Sequence, residues 1–272
     1  MNSNNGSVFF TFFNFILWLY KGPPGCAKTS LARAAAGSAE VAFLSLSPAE
    51  VYASSYVGEA ETIVRRSFAL ARCASPCILF FDEIDAILGT DAGSSHGMDR
   101  RGRESSSEAR VLSTFLNEMD GVDSSSSDGV LVLGATNRPT VLDAALLRPG
   151  RFDKIIFVPP PDEGVRRSLF SLQLARGNTN PTVDVDYLAS DAVSGRLTGA
   201  EVVGACREAA MLAIREAFEN NHQIEHTVSA RCFEPCVTQQ HVERALQGLK
   251  PMLTNDLLVE YRRFEEANAM RK

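Results

Sequence analysis

Gly22-Pro-Pro-Gly25-Cys-Ala-Lys28-Thr29 decides how this chain is read. A glycine-rich turn runs directly into a lysine, a hydroxyl residue and the helical stretch Ser30–Ala36. That order suits the grip of a polyphosphate. Backbone N–H groups of such a turn point at phosphate oxygens, and the helix start adds partial positive charge. Lys28 is placed to reach the terminal phosphates and the Thr29 hydroxyl to ligate Mg²⁺. Gly22, Pro23, Pro24, Gly25, Cys26, Ala27, Lys28, Thr29 and Ser30 are therefore the candidate phosphate-binding stretch, with a polyphosphate and Mg²⁺ as the expected ligands. The pattern G-x-x-x-x-G-K-[ST] is met at every position but one, where Ala27 stands in place of the second glycine. A methyl group there crowds the turn unless the local φ is negative.

Working outward, short apolar runs alternate with helical stretches as far as Val158. Strands are expected over Ile16–Tyr20, Ala42–Leu46, Cys77–Phe81, Val130–Ala135 and Ile155–Val158. Several are continuous apolar runs, as parallel strands covered on both faces require. Helices are expected over Thr29–Gly37, Ala60–Arg72 and Ser107–Met119, and polar loops over Gly89–Ser107 and Asp123–Gly129. This is the βαβ grammar of a doubly wound sheet. Beyond Pro159-Pro-Pro-Asp162 the strand signal stops. Helices are expected over Arg166–Ala175, Thr198–Glu219, Gln239–Lys250 and Asn255–Asn268, with Thr198 and Glu201 forming a capping box. The expected organisation is an α/β subdomain over 1–158 and a helical subdomain over 159–272, with the proline run as hinge.

Cys77-Ile-Leu-Phe-Phe-Asp82-Glu83 carries the second site signal: an apolar strand ending in two adjacent carboxylates. Ligands of open α/β sheets bind beyond the carboxyl ends of the strands. Asp82 is the candidate Mg²⁺ ligand with Thr29, and Glu83 the candidate general base for an attacking water.

With these two segments the chain resembles an AAA-type ATPase of the AAA+ superfamily, in the valosin-containing-protein branch. The resemblance implies a P-loop NTPase three-layer sandwich followed by a small all-helical lid. Gly134-Ala-Thr-Asn137-Arg-Pro139 is similar to the sensor-1 segment, which implies that Asn137 orients the water or the terminal phosphate. Leu147-Arg148-Pro-Gly-Arg151-Phe-Asp153 is similar to the arginine-finger segment, which implies that Arg148 and Arg151 reach a neighbouring subunit's nucleotide. Asp120-Gly-Val122 resembles the intersubunit signalling motif. Thr198-Gly199-Ala200-Glu201 resembles the lid segment beside adenine, and Tyr56-Val57-Gly58 the pore loop that grips a threaded polypeptide. The resemblance covers roughly residues 16–272 and implies a homo- or hetero-oligomer, a hexameric ring acting on polypeptide. Gly-Pro-Pro-Gly-Cys-Ala-Lys-Thr, Lys154–Asp162 and Leu249-Lys-Pro-Met look most like the second ATPase domain of the spermatogenesis-associated type, which carries Ala at the same loop position. That implies a role in ribosome biogenesis. The family has a further segment before the phosphate loop, so the short stretch before Gly22 suggests a fragment or truncated gene model. The alternative reading is a nucleotide-binding fragment that does not assemble.

The chain has 272 residues, 45% of them hydrophobic and 22% charged, with net charge −6. That balance fits a soluble globular protein and disfavours direct nucleic-acid binding. Val8–Tyr20 is apolar but too short for a comfortable membrane span, and it lacks the flanks of a signal peptide. Six scattered cysteines read as free thiols of a reducing compartment, cytoplasmic or nuclear. His222-Gln-Ile-Glu-His226 matches an inverted zinc-protease pattern, and Cys232 and Cys236 follow it. The bland reading, a loop insertion between lid helices, is preferred to a zinc site. Ser105–Ser107 and Ser124–Ser127 read as solvated loops.

Overall fold

The computed structural model describes residues 16–53, 56, 58–89, 101–120, 129–148, 150–222, 235–254, 256–257 and 259. Contacts divide the chain into two units, one comprising Met1–Gly22 with Lys28–Val158, the other Pro23–Ala27 with Pro159–Lys272.

The first unit is built on five parallel strands, β1 (Ile16–Lys21), β2 (Ala42–Leu46), β3 (Cys77–Phe81), β4 (Val130–Thr136) and β5 (Lys154–Phe157), in the order β2-β3-β4-β1-β5. Helix α1 (Lys28–Ala39) leads from β1 to β2. Between β2 and β3 lie α2 (Pro48–Val51) and α3 (Glu59–Cys73), and between β3 and β4 lie α4 (Ile84–Leu88) and α5 (Arg101–Asp120). A short 3₁₀ turn, Ala144–Leu147, precedes β5.

Alternation along β3 explains the layers. Ile78 and Phe80 face one way and join Ala32 and Ala36 of α1. Leu79 and Phe81 face the other way and join Val64 and Phe68 of α3 and Phe115 of α5. All five β3 residues are buried, so this strand has no polar face to show in its sequence. Edge-to-face contacts of Phe115 with Phe81, 4.9 Å between centroids, and with Phe68, 5.6 Å, fill the second layer.

The second unit holds α6 (Glu163–Leu174), α7 (Val185–Ala189), α8 (Asp191–Ser194), α9 (Gly199–His222) and α10 (Gln239–Gln247) around Phe170, Leu188, Val202 and Val242. Each longer helix has a physical start. Asp162 accepts the Val165 N–H, and Thr198 and Glu201 exchange bonds as the predicted capping box. At α10 the reciprocal partner of Thr238 is His241, whose Nδ1 accepts the Thr238 N–H at 3.1 Å while Nε2 lies 2.6 Å from Glu216 of α9. Arg166 is 2% exposed; its guanidinium donates to the carbonyls of Ala189 and Pro161 and pairs with Asp191 at 2.5 Å.

Three differences from expectation stand out. The expected loop over Gly89–Ser107 gives way to helix from Arg101, because a run of Arg, Glu and Ser carries no apolar periodicity to mark a helix start. The short helices α2, α4, α7 and α8 were not expected; four or five residues are too few for a helical period to register. The expected α10 end at Lys250 lies three residues beyond the observed Gln247. The expected helix over Asn255–Asn268 lies almost wholly outside the described residues, as does the loop Asp123–Gly129 apart from Gly129. Among the described residues no helix is long and apolar enough to cross a membrane.

Candidate functional site

The sheet order places the carboxyl ends of β1, β4 and β3 side by side, and each delivers one group. From the end of β1, Gly22 leads into the phosphate loop. A Cβ on Gly22 would lie 2.3 Å from the Val158 carbonyl oxygen, so only glycine fits where the loop leaves the sheet. Lys28 at the start of α1 is 7% exposed, and its ammonium donates to the Gly22 carbonyl at 2.9 Å and to Asn137 Oδ1 at 2.7 Å. The candidate phosphate-gripping and phosphate-sensing side chains thus meet directly across 109 residues of sequence. Thr136, fully buried at the end of β4, turns the chain toward Asn137 by accepting the Arg138 N–H at 2.9 Å.

Thr29 Oγ1 donates to Asp82 Oδ2 at 2.7 Å. Two oxygen donors of the kind Mg²⁺ prefers therefore converge on one spot. Their meeting is what a metal held by a loop hydroxyl and a strand-end carboxylate requires, so the residues present fit the ion. Glu83, next along, is exposed and adopts the left-handed conformation with φ 46° and ψ 49°, unusual for a side chain with a Cβ. The turn separates the two neighbouring acids: Asp82 is half-buried against Thr29, whereas Glu83 starts α4 and faces solvent.

The tip of the phosphate loop carries two left-handed residues, Gly25 at φ 74° and Ala27 at φ 63°. Positive φ at Ala27 is the conformation in which the methyl group is unfavourable, so the negative-φ escape does not apply. A Cβ on Gly25 would meet Thr198 Oγ1 at 2.9 Å and the Ala200 methyl at 3.0 Å. The Ala200 N–H donates to the Gly25 carbonyl at 3.0 Å. Gly199 and Ala200 therefore touch the loop tip itself. Pro23, Pro24 and Cys26 belong to the same tip, where the buried Cys26 thiol lies 3.9 Å from the Pro24 carbonyl. Ser30 follows Thr29 in the first turn of α1.

Tyr56 is 82% exposed and Gly58, at φ 89°, caps the start of α3; Val57 lies outside the described residues. Arg148 is exposed at the end of the 3₁₀ turn, and its side chain makes no hydrogen bond or ion pair among the described residues. Arg151 instead bonds within the chain, to Asp120 and to the Ala145 carbonyl. Nothing in the sequence signals this pair, whose members stand 31 residues apart. Gly121 and Val122 lie outside the described residues, as do His226, Cys232 and the side chain of His222; Cys236 is described. Among the described residues no group of His, Cys, Asp and Glu could hold a metal ion by itself.

A family model for the ATPase family associated with various cellular activities (AAA) matches residues 18–160. Cell division control protein 48 homolog B of Arabidopsis thaliana is 41% identical over 254 residues, 92% of this chain and 37% of that protein. ATPase family gene 2 protein homolog A of Homo sapiens is 39% identical over 254 residues, 93% of this chain and 25% of that protein. The cell division cycle protein 48 homolog of Archaeoglobus fulgidus is 37% identical over 245 residues, 90% of this chain and 32% of that protein. The chain thus spans about a quarter to somewhat over a third of the length of these relatives.

Proposed function

The chain belongs to the AAA family of ATPases, and we propose that it hydrolyses Mg²⁺-bound ATP at the Lys28–Thr29–Asp82 cluster and uses the energy to remodel polypeptides within an oligomeric ring. The observation that carries the nucleotide site is the 2.7 Å contact of Thr29 with Asp82 beside a buried Lys28. Loop amides and Lys28 would hold the β- and γ-phosphates, and Asn137, already within reach of Lys28, would orient the terminal phosphate or the water. Thr29 and Asp82 would hold Mg²⁺, which when bound neutralises charge on the phosphate oxygens. Glu83 faces solvent on a turn that fixes its backbone, and accepts the proton of the attacking water. The exposed Arg148 would supply positive charge to the site of a neighbouring copy.

The polypeptide part rests on Tyr56. A large aromatic side chain that is 82% exposed offers a surface that could contact any chain without reading its sequence. The net charge of −6 favours such a partner over nucleic acid. A cytoplasmic or nuclear setting in ribosome biogenesis rests on the phosphate-loop resemblance to the spermatogenesis-associated type.

Two assays test the reading. Lys28→Ala weakens ATP binding by about 10–100-fold, the loss of a charge-assisted bond; unchanged affinity would remove Lys28 from the site. A fluorescent protein with an unstructured tail serves as the unfolding probe. ATP-dependent loss of its fluorescence, abolished in Tyr56→Ala, is the expected result. ATP turnover without unfolding would overturn the remodelling half.

A further inference from the structure

The two arginines of the Arg148–Arg151 segment stand in different circumstances. Asp120 ends α5, and its carboxylate takes both arms of the Arg151 fork, Nε at 3.2 Å and Nη2 at 2.9 Å. The third arm, Nη1, donates to the Ala145 carbonyl in the 3₁₀ turn at 2.8 Å. The Arg151 side chain is 17% exposed in this arrangement. Its neighbour Phe152 is 3% exposed in the core, with its N–H on the Leu146 carbonyl at 3.1 Å. Arg148 begins the same tight loop, its carbonyl accepting the Arg151 N–H at 3.1 Å, and its side chain is exposed with no partner among the described residues.

We propose that Arg148 alone supplies the charge offered to a neighbouring nucleotide, and that Arg151 is a positioning residue whose pairing with Asp120 holds the Arg148 loop at the end of α5. The physical reason is the fork. A guanidinium that already meets a carboxylate through two charge-assisted bonds has its charge matched in place. To reach a phosphate it would have to break both and leave Asp120 and the Ala145 carbonyl unpaired. Arg148 has no such bond to break among the described residues. Arg151 instead spans two elements, the last residue of α5 and the 3₁₀ turn, and so sets where the loop between them stands.

The inference rests on the ATPase reading above, and one set of variants in the full chain tests both without confusing them. ATP turnover and melting temperature are measured for Arg148→Ala, Arg148→Lys, Arg151→Ala, Arg151→Lys, Asp120→Ala and the double variant Asp120→Ala/Arg151→Ala. The expected loss of kcat for Arg148→Ala is about 10³-fold or more, as for other arginines acting on a transferred phosphoryl group, and Arg148→Lys does not restore it. Arg151→Ala and Asp120→Ala each lower kcat by the same smaller factor, about tenfold, and the double variant falls no further. Arg151→Lys, which keeps an ion pair with Asp120, regains most of the turnover. If Arg151→Ala loses as much as Arg148→Ala while Asp120→Ala loses little, Arg151 is itself a finger and the proposal is wrong. A rise in turnover for Asp120→Ala would also overturn it, because Asp120 would then be restraining Arg151 rather than using it. In a parent chain with no turnover the ATPase reading falls, yet the melting temperatures still decide the pair. Losses that overlap in the double variant support it, and strictly additive losses overturn it.

Discussion

Ala27 and Glu83 share a backbone condition that the other described site residues lack: each carries a Cβ at positive φ, 63° and 46° respectively. For an L-residue that region is unfavourable by about 1–2 kcal/mol. At Ala27 the departure from the loop pattern was visible in the sequence, since the pattern asks for glycine there. The strain is what its presence means. Ala27→Gly is expected to stabilise the chain by roughly 0.5–1 kcal/mol, the relieved strain less the added freedom of the unfolded chain. A raised melting temperature checks this; a lowered one would show that the loop does not hold φ 63°. Glu83 gave no such warning, because two adjacent acids after a strand do not reveal that the second turns left-handed. The thiols differ for another reason. Burial pushes Cys206 up to about 11 and also raises Cys77, whereas Cys73 is exposed. Iodoacetamide at pH 8 is therefore expected to alkylate Cys73 before Cys206, as read by peptide mass mapping. Between the ordinary thiol value of 9.0 and about 11 the folded chain binds more protons at Cys206 than the unfolded chain. This site's contribution to stability is thus present below that range and is lost as pH rises through it.

At the scale of elements, what could be read followed what the apolar pattern records. β2 and β3 begin and end where expected; Cys77–Phe81 is an apolar run between Pro76 and Asp82, and Ala42–Leu46 is ended by Ser47-Pro48. Lys28, Thr29 and Asp82 were legible as a candidate site because strand ends in such a sheet share one edge. α5 extends six residues further back than its apolar residues suggest, and its far end carries Asp120, whose partner Arg151 lies beyond β4. A pairing across an intervening strand and turn leaves no mark on local sequence. The same holds for Arg166, which looks like an ordinary surface residue of α6 and is instead 2% exposed, joining α6 to the chain around α7 and α8. Arg166→Ala leaves the carbonyls of Ala189 and Pro161 without their donor. It is expected to destabilise the helical unit by roughly 2 kcal/mol or more, measured by urea unfolding. A change within experimental scatter would mean that water replaces the guanidinium at no cost.

At the scale of the molecule, the family, the sheet order and the local site agree on nucleotide chemistry, while the chain spans at most 37% of the length of the relatives compared. The proposed chemistry is accordingly local: Lys28, Thr29 and Asp82 would hold Mg²⁺ and ATP, and Glu83 would activate water. The most direct test is phosphate release by Glu83→Gln, measured beside its ATP affinity. Glutamine keeps the shape and removes the base. ATP binding is expected to stay close to that of the parent, with turnover lower by at least about a hundredfold. Turnover at the parent rate with intact binding would contradict it.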